Sequence, residues 1–482
     1  MKPSTPAPSF MVSAPGKVIV CGEHAVVYGK AAIAAAISLR SYLLVSFLPK
    51  SNRTISLVSP DIDLDHTWNI EDLPWDARFG RNQKNQYLAT LDLELVEALQ
   101  PHINAVSPTL SEHARKIHRS SAFAFLYLLL SLSSPGALDA CTYTVRSTIP
   151  VGAGLGSSAS LSVCFATALL LQSKALRPPA AHPARKTAQQ IDLINRWAFV
   201  AETCIHGNPS GVDNTVASGG KAVLYQRKDP LKAPTVLPLR RFPELPLLVV
   251  DTREARSATE RIAAVRGLRA EAPPAVDAVM GAIDAATRSA YRLISARGRF
   301  GGEAVRRLGQ LVAINHGLLV ALGVSHPKLD RVSALVGELD VGWAKLTGAG
   351  GGGCAIVLLK PASHSAVGQL CDGEDEGEGE GPLEKMGLGS RKLVELERML
   401  ADEGMEMLET TLAGDGAGVL WPAVLCIRSD DEERVVDIDR ERFLGTRGKE
   451  AIEKLVGVNA AAASSDSKAT VADKDGWRFW RR

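Results

Sequence analysis

Ten consecutive residues, Pro150-Val151-Gly152-Ala153-Gly154-Leu155-Gly156-Ser157-Ser158-Ala159, constrain this chain most. Before them, Cys141 to Ile149 alternates apolar and polar residues as a strand does. After them, Leu161 to Leu171 is apolar, free of glycine and helix-like. The order strand, glycine loop, helix start suits an anion. Glycines let backbone N–H groups approach it without a Cβ in the way, and the first helical turn adds unpaired N–H groups and partial positive charge. Ser157 and Ser158 stand where a hydroxyl can cap the helix or reach a phosphate-bound Mg²⁺. A Rossmann fingerprint would need glycine at position 157, and a Walker A loop would need a Lys after the last glycine; neither is present. A plain strand-to-helix turn would leave three alternate glycines and two serines unexplained.

Near the N-terminus, Pro15-Gly16 reads as a turn, Lys17 to Cys21 as a short strand and Gly22-Glu23-His24 as a polar break after it. Lys17 projects from an otherwise apolar strand, so it is either an edge-strand solubiliser or a positioned cation. Ala31 to Leu48 mixes alanines with Ile37, Tyr42, Val45 and Phe47 and is assigned to strand. Asp76 to Ala105 and Ser111 to Leu132 are expected as helices, with a proline-bearing loop at Leu176 to Arg185.

Thr187 to Ile205 carries Ile191, Ile194, Ala198, Ala201 and Ile205 at helical spacing, with Glu202 beside that stripe. Asn208-Pro209-Ser210-Gly211 then stops the helix and prepares another. Glu202 and Asp213 can therefore converge, one to hold a metal and the other to meet a substrate proton. Their alternative roles are a solvated carboxylate and a helix cap.

Lys221 to Gln226 and Leu247 to Asp251 read as strands on either side of a proline-containing stretch, where a domain boundary is placed. Helices follow to Gly342, then a second glycine loop, Lys345-Leu346-Thr347-Gly348-Ala349-Gly350-Gly351-Gly352-Gly353-Cys354, and a strand to Leu359. So many glycines are entropically costly, which points to close backbone approach to another loop or a phosphate. Cys371 to Gly381 is an acidic run expected to be solvated, and Asn459 to Arg482 is expected to be a disordered tail without a specific role.

At 482 residues the chain can bury a large core, and two domains are expected. Lys and Arg number 55 against 53 Asp and Glu, so nothing favours nucleic acid or an anionic membrane as a partner. Seven scattered cysteines without a C-x-x-C pair fit reduced thiols in a cytoplasmic protein. The N-terminus lacks the apolar core of a signal peptide, and Ala122 to Leu132 is too short to span a bilayer.

Ala14-Pro15-Gly16-Lys17-Val18 with Gly22-Glu23-His24, the Gly154-Leu155-Gly156-Ser157-Ser158 loop, and Lys345 to Gly353 together resemble the GHMP kinase superfamily, in order and approximate spacing. Ala25-Val26-Val27-Tyr28-Gly29 and Ile205 to Asn214 resemble its mevalonate kinase branch. The resemblance covers roughly Val12 to Leu359 and resumes near Thr410 to Pro422. It implies an α+β two-domain fold: an N-terminal α/β domain like the second domain of ribosomal protein S5 (10–236) and a C-terminal ferredoxin-like domain (237–456). The acidic insertion near 371–381 and the tails, 1–9 and 457–482, lie outside the family pattern.

The resemblance further implies ATP-dependent phosphorylation of the C5 hydroxyl of mevalonate. Gly152, Ala153, Gly154, Leu155, Gly156, Ser157 and Ser158 would cradle ATP, with Ser147 contacting the nucleotide. Ser158 and Glu202 would ligate Mg²⁺, and Asp213 and Lys17 would be catalytic. Lys17, Glu23, His24, Asp213 and Arg256 would meet mevalonate, and Gly348, Gly350 and Gly351 would form a supporting loop. Ala258 stands where the family carries threonine, which changes the loop after Arg256. A homodimer and feedback inhibition by prenyl diphosphates are also implied. The alternatives are another small-molecule kinase of the superfamily, such as a phosphomevalonate kinase, and a non-catalytic ligand sensor.

Overall fold

A computed structural model describes residues 8–481 except 50, 78–89, 151, 180–183, 230–233, 256, 299, 362–389, 430–431 and 457–475. The acidic run at 371–381 and Arg256 therefore lie outside the described residues.

The strands are β1 (Phe10–Cys21), β2 (Ala31–Phe47), β3 (Thr54–Ser59), β4 (Leu64–Asn69), β5 (Cys141–Ser147), β6 (Ala222–Gln226), β7 (Thr235–Pro238), β8 (Leu245–Asp251), β9 (Gly342–Leu346), β10 (Cys354–Leu359), β11 (Glu406–Leu412), β12 (Gly418–Leu420), β13 (Val424–Ser429), β14 (Glu432–Asp437) and β15 (Trp477–Phe479). The helices that matter below are α1 (Leu93–Asn104), α2 (Glu112–Leu132), α3 (Ser157–Gln172), α4 (Ala184–His206), α5 (Val212–Gly219), α6 (Ala258–Glu271), α7 (Pro273–Ser295), α8 (Gly302–Ala321) and α9 (Pro327–Glu338).

β2 is the hub. Along one side it pairs with β1, and along the other with β6 at Ala31 to Ala35, with β11 at Ile37 and with β5 at Ser41 to Phe47. Through β11 the sheet continues to β8, β10 and β9. The alanines of β2 have a packing reason: Ala34 and Ala36 lie under Val212 and Val216 of α5, and small residues let that helix sit close to the sheet. They lower strand propensity locally, but burial of both faces outweighs it.

The apolar α3 is buried against β1, β2, α2 and α4, and its N-terminus opens from the glycine loop. α7, α8 and α9 cover the sheet formed by β8, β9 and β10. The second glycine loop joins antiparallel β9 and β10. No described helix is long and apolar enough to cross a membrane. Cys21, Cys141, Cys164 and Cys204 are in no disulfide.

Three sequence expectations need correction. Pro15-Gly16 is not a turn before a short strand: both residues lie within β1, which runs from Phe10 to Cys21 with a register shift between Pro15 and Lys17. Of the helix expected over Asp76 to Ala105, 78–89 lie outside the described residues; Trp75–Ala77 is a 3₁₀ turn, and the described helix starts at Leu93, where the Asp92 carboxylate accepts from the Glu94 N–H at 3.0 Å and caps it. The C-terminal end is not a tail without a role. β15 pairs with β12, which pairs with β1, while Trp477 and Trp480 are buried. The aromatic residues there are anchors that fill apolar sites at the sheet edge.

Candidate active site

Lys17 pairs with Ala36 of β2, the glycine loop covers its other side and its side chain is buried, so it is not an edge-strand solubiliser. Its backbone N–H donates to Leu155 O at 2.7 Å, and its ammonium donates to Gly154 O at 3.4 Å. The glycine loop is thus laid directly over this lysine. Gly156 shows why: it has φ of +78°, and a Cβ there would meet Lys17 Cγ at 2.9 Å. The loop turns into α3 at Gly156, with Ser157 and Ser158 opening the helix. Ser147 lies one strand earlier, where its hydroxyl accepts from the Ile149 N–H at 3.1 Å.

Asp213 reaches the same place from the first turn of α5. Its carboxylate Oδ2 is 3.3 Å from Lys17 Nζ, and it makes no capping bond to its own helix. The capping alternative for Asp213 is therefore not realised.

Glu202, near the end of α4, is only 3% exposed, so it is not a solvated carboxylate. Ser162 donates to its Oε1 at 3.2 Å and Ser158 to its Oε2 at 3.5 Å. His206 Nε2 lies 3.0 Å from Ser158 Oγ. Burial, and then the charge of Asp213, push the Glu202 carboxyl up to about 7, against the smaller pull of Ser162, Ser158 and Lys17. A buried carboxylate held by hydroxyls at a helix start, with its charge under-compensated, suits a hard cation.

The Gly22-Glu23-His24 turn meets the second glycine loop. Glu23 is buried and ion-paired with Lys345, which is fully buried; Asn315 Nδ2 donates to its other oxygen at 3.0 Å. His24 Nε2 lies 2.9 Å from Ala349 O, and the Ile19 N–H donates to Thr347 Oγ1 at 3.1 Å. Gly350 comes so near α9's leading loop that a Cβ would sit 2.0 Å from Val324 O. Close backbone approach, one of the two explanations offered by the sequence, accounts for that glycine; Gly348 and Gly351 also have positive φ.

Lys17, Gly152 to Ser158, Glu202 and Asp213 thus come together. Glu23 and His24 join Gly348 to Gly351 at a neighbouring junction. Lys345, Asn315, Ser162 and His206 belong to these clusters and had been given no role. Lys345 carried a signal, a lysine in an otherwise apolar strand like Lys17; Asn315 carried none.

The sequence matches the family described as GHMP kinases N terminal domain over residues 120–220 and GHMP kinases C terminal over residues 302–371. It is 53% identical to the mevalonate kinase of Gibberella zeae, over 100% of this chain and 89% of that protein. It is likewise 53% identical to that of Aspergillus fumigatus, over 100% and 84%. Among solved structures, the fold resembles Methanococcus jannaschii mevalonate kinase, with TM-score 0.57 and 21% identity over 84% of this chain and 98% of that one. It also resembles L. major mevalonate kinase in complex with R-mevalonate, with TM-score 0.58 and 21% identity over 84% and 96%.

Proposed function

We propose that this chain, which belongs to the mevalonate kinase family of GHMP kinases, transfers the γ-phosphoryl group of ATP to the C5 hydroxyl of mevalonate. The observation that carries the site assignment is the placement of Lys17 between the glycine loop and Asp213, 3.4 Å from Gly154 O and 3.3 Å from the Asp213 carboxylate.

Phosphoryl transfer depends on in-line positioning and charge neutralisation more than on covalent chemistry. The loop N–H groups from Gly152 to Ser158 and the start of α3 hold the phosphates. Lys17 faces the charge that develops on the transferring group and orients Asp213. Asp213 accepts the acceptor hydroxyl's proton; a loose transition state lets that proton leave late, so Asp213 acts as much by charge as by basicity. Ser158 and Glu202 fit Mg²⁺ as oxygen ligands, and the ion when bound supplies charge neutralisation at the phosphates. Ser147 flanks the nucleotide. Glu23, His24 and Arg256 shape the mevalonate side, and Gly348, Gly350 and Gly351 support it.

A homodimer and inhibition by prenyl diphosphates rest on the family resemblance, and a cytoplasmic location rests on the scattered cysteines.

ADP release with Mg²⁺-ATP, measured in parallel for mevalonate, phosphomevalonate, homoserine and galactose, tests the assignment. Turnover with mevalonate alone is expected. Turnover with a different acceptor would discard the substrate, and ATP binding without turnover would favour the sensor.

A further inference from the structure

A second cleft lies at the other end of α5. It has a volume of about 400 Å³, and Thr215, Lys221, Arg240, Glu244, Asp415 and Arg481 are among the residues that line it. The glycine loop and Glu202 take no part in its walls.

Its charges do not cancel. Both Asp415 oxygens accept from Arg481, at 3.0 and 2.9 Å, and Glu244 Oε1 accepts from Thr411 at 2.5 Å. Both carboxylates are therefore already engaged. Among the described residues, no hydrogen bond or ion pair holds the Lys221 ammonium or the Arg240 guanidinium. Behind the wall, buried Arg40 donates to Ser13 Oγ and to the carbonyls of Asp415 and Gly416, none of them a carboxylate. In the lining, Lys221, Arg240 and Arg481 against Glu244 and Asp415 leave one positive charge over, and Arg40 behind the wall adds a second. Burial raises the Asp415 carboxyl, but Arg481, Lys221 and Arg40 together hold it below its ordinary value, as a field of net positive sign does.

The backbone is arranged to present Lys221. This residue has φ of +54°, a conformation that side-chain-bearing residues seldom adopt. Its N–H donates to Gly414 O and its carbonyl accepts from Ala36 N–H, each at 2.8 Å, so the strained residue is fixed from both sides. Arg481 is delivered by the C-terminal segment, anchored through β15 and buried Trp480. A strained lysine and an arginine with no hydrogen bond or ion pair among the described residues converge on one cavity, beside an arginine that the folded-back terminus places in its wall.

We propose that this cleft binds a small oxyanion of the phosphate or diphosphate class through Lys221 and Arg240, at a site separate from the phosphate loop, with Arg481 held in its wall by Asp415. Charge-assisted contacts from Arg240 and Lys221 supply the affinity, and the cavity's size admits a small phosphorylated molecule.

The test is calorimetric titration of the full chain with inorganic pyrophosphate, without Mg²⁺, after a non-hydrolysable ATP analogue has saturated the glycine loop. One pyrophosphate per chain is expected, with affinity that falls as NaCl is added. Arg240→Glu changes an exposed side chain, and Lys221→Gly removes a charge while relaxing the backbone. Each should weaken binding about tenfold or more and leave mevalonate turnover unchanged. Absence of binding with the loop saturated, or wild-type affinity in either variant, would overturn the proposal. Loss of mevalonate turnover in the wild type would instead count against the kinase assignment.

Discussion

Lys17 and Asp213 meet at 3.3 Å, although one stands on a long β-strand and the other lies in the first turn of a short helix. Lys17 is largely buried beneath the glycine loop, and Asp213 does not cap its helix. Lys17→Met and Asp213→Asn should each lower kcat by about a thousandfold or more, as expected for groups aimed at developing charge. The affinity for ATP, measured by titration, should change little, because the glycine loop holds the phosphates. Near-normal kcat in either variant would contradict the role given to that residue.

Glu202→Gln should separate function from stability. Its carboxyl moves from 4.5 to about 7 on folding, so its stabilising contribution is complete below pH 4.5 and is lost as pH rises through 7. A neutral amide removes that cost, worth at most ~3 kcal/mol for a shift of this size. The ligand-free variant should therefore melt higher than wild type at pH 7.5, while its turnover falls by orders of magnitude. A lower Tm at pH 7.5 would show that the carboxylate is stabilised in a way the geometry does not reveal.

Lys345→Met leaves the Glu23 carboxylate buried without its counter-charge, a change that typically costs about 3–5 kcal/mol. Glu23→Gln added to Lys345→Met should recover a large part of the lost Tm, since the second change removes the stranded charge. A strictly additive double variant would mean that the pair is not coupled. Thermal melts of the four proteins in one buffer decide it.

Acid should loosen the junction between the Gly22-Glu23-His24 turn and the second glycine loop. Burial holds His24 below its ordinary 6.5, against smaller upward pulls from Ala349 O and Glu23. Its neutral ring contributes stability that is complete above about pH 6.5 and is lost as pH falls through the lowered folded value. Glu202 gains stability over the same range and is common to both proteins, so the test is the difference: from pH 7.5 to 5 the Tm of wild type should fall relative to that of His24→Gln. An identical pH profile in the variant would exclude His24 as a source of the dependence.

The glycine loop was legible because its conformation demands its composition: Gly152, Gly154 and Gly156 all have positive φ, a local property written directly into residue type. The helices at Ser111 to Leu132 and Thr187 to Ile205 were legible from spacing, and β2 from its β-branched and aromatic residues. Partnerships across the chain were not. Lys345 and Glu23 lie 322 positions apart, and nothing local to either says that they meet. Likewise, the strand partner of Trp477-Arg478-Phe479 is β12, far earlier in the chain and itself paired with β1. The pairing of Lys17 with Asp213 was reached through family resemblance, because burial and distance are properties of the folded chain.

The most direct measurement is phosphorus NMR of the reaction of Mg²⁺-ATP with mevalonate, run with wild type and Asp213→Asn. Wild type should yield one C5 phosphate monoester for each ADP, and the variant should yield almost none while still binding ATP. Inorganic phosphate in place of the monoester, or a variant as productive as wild type, would contradict phosphoryl transfer to mevalonate at the Lys17–Asp213 site.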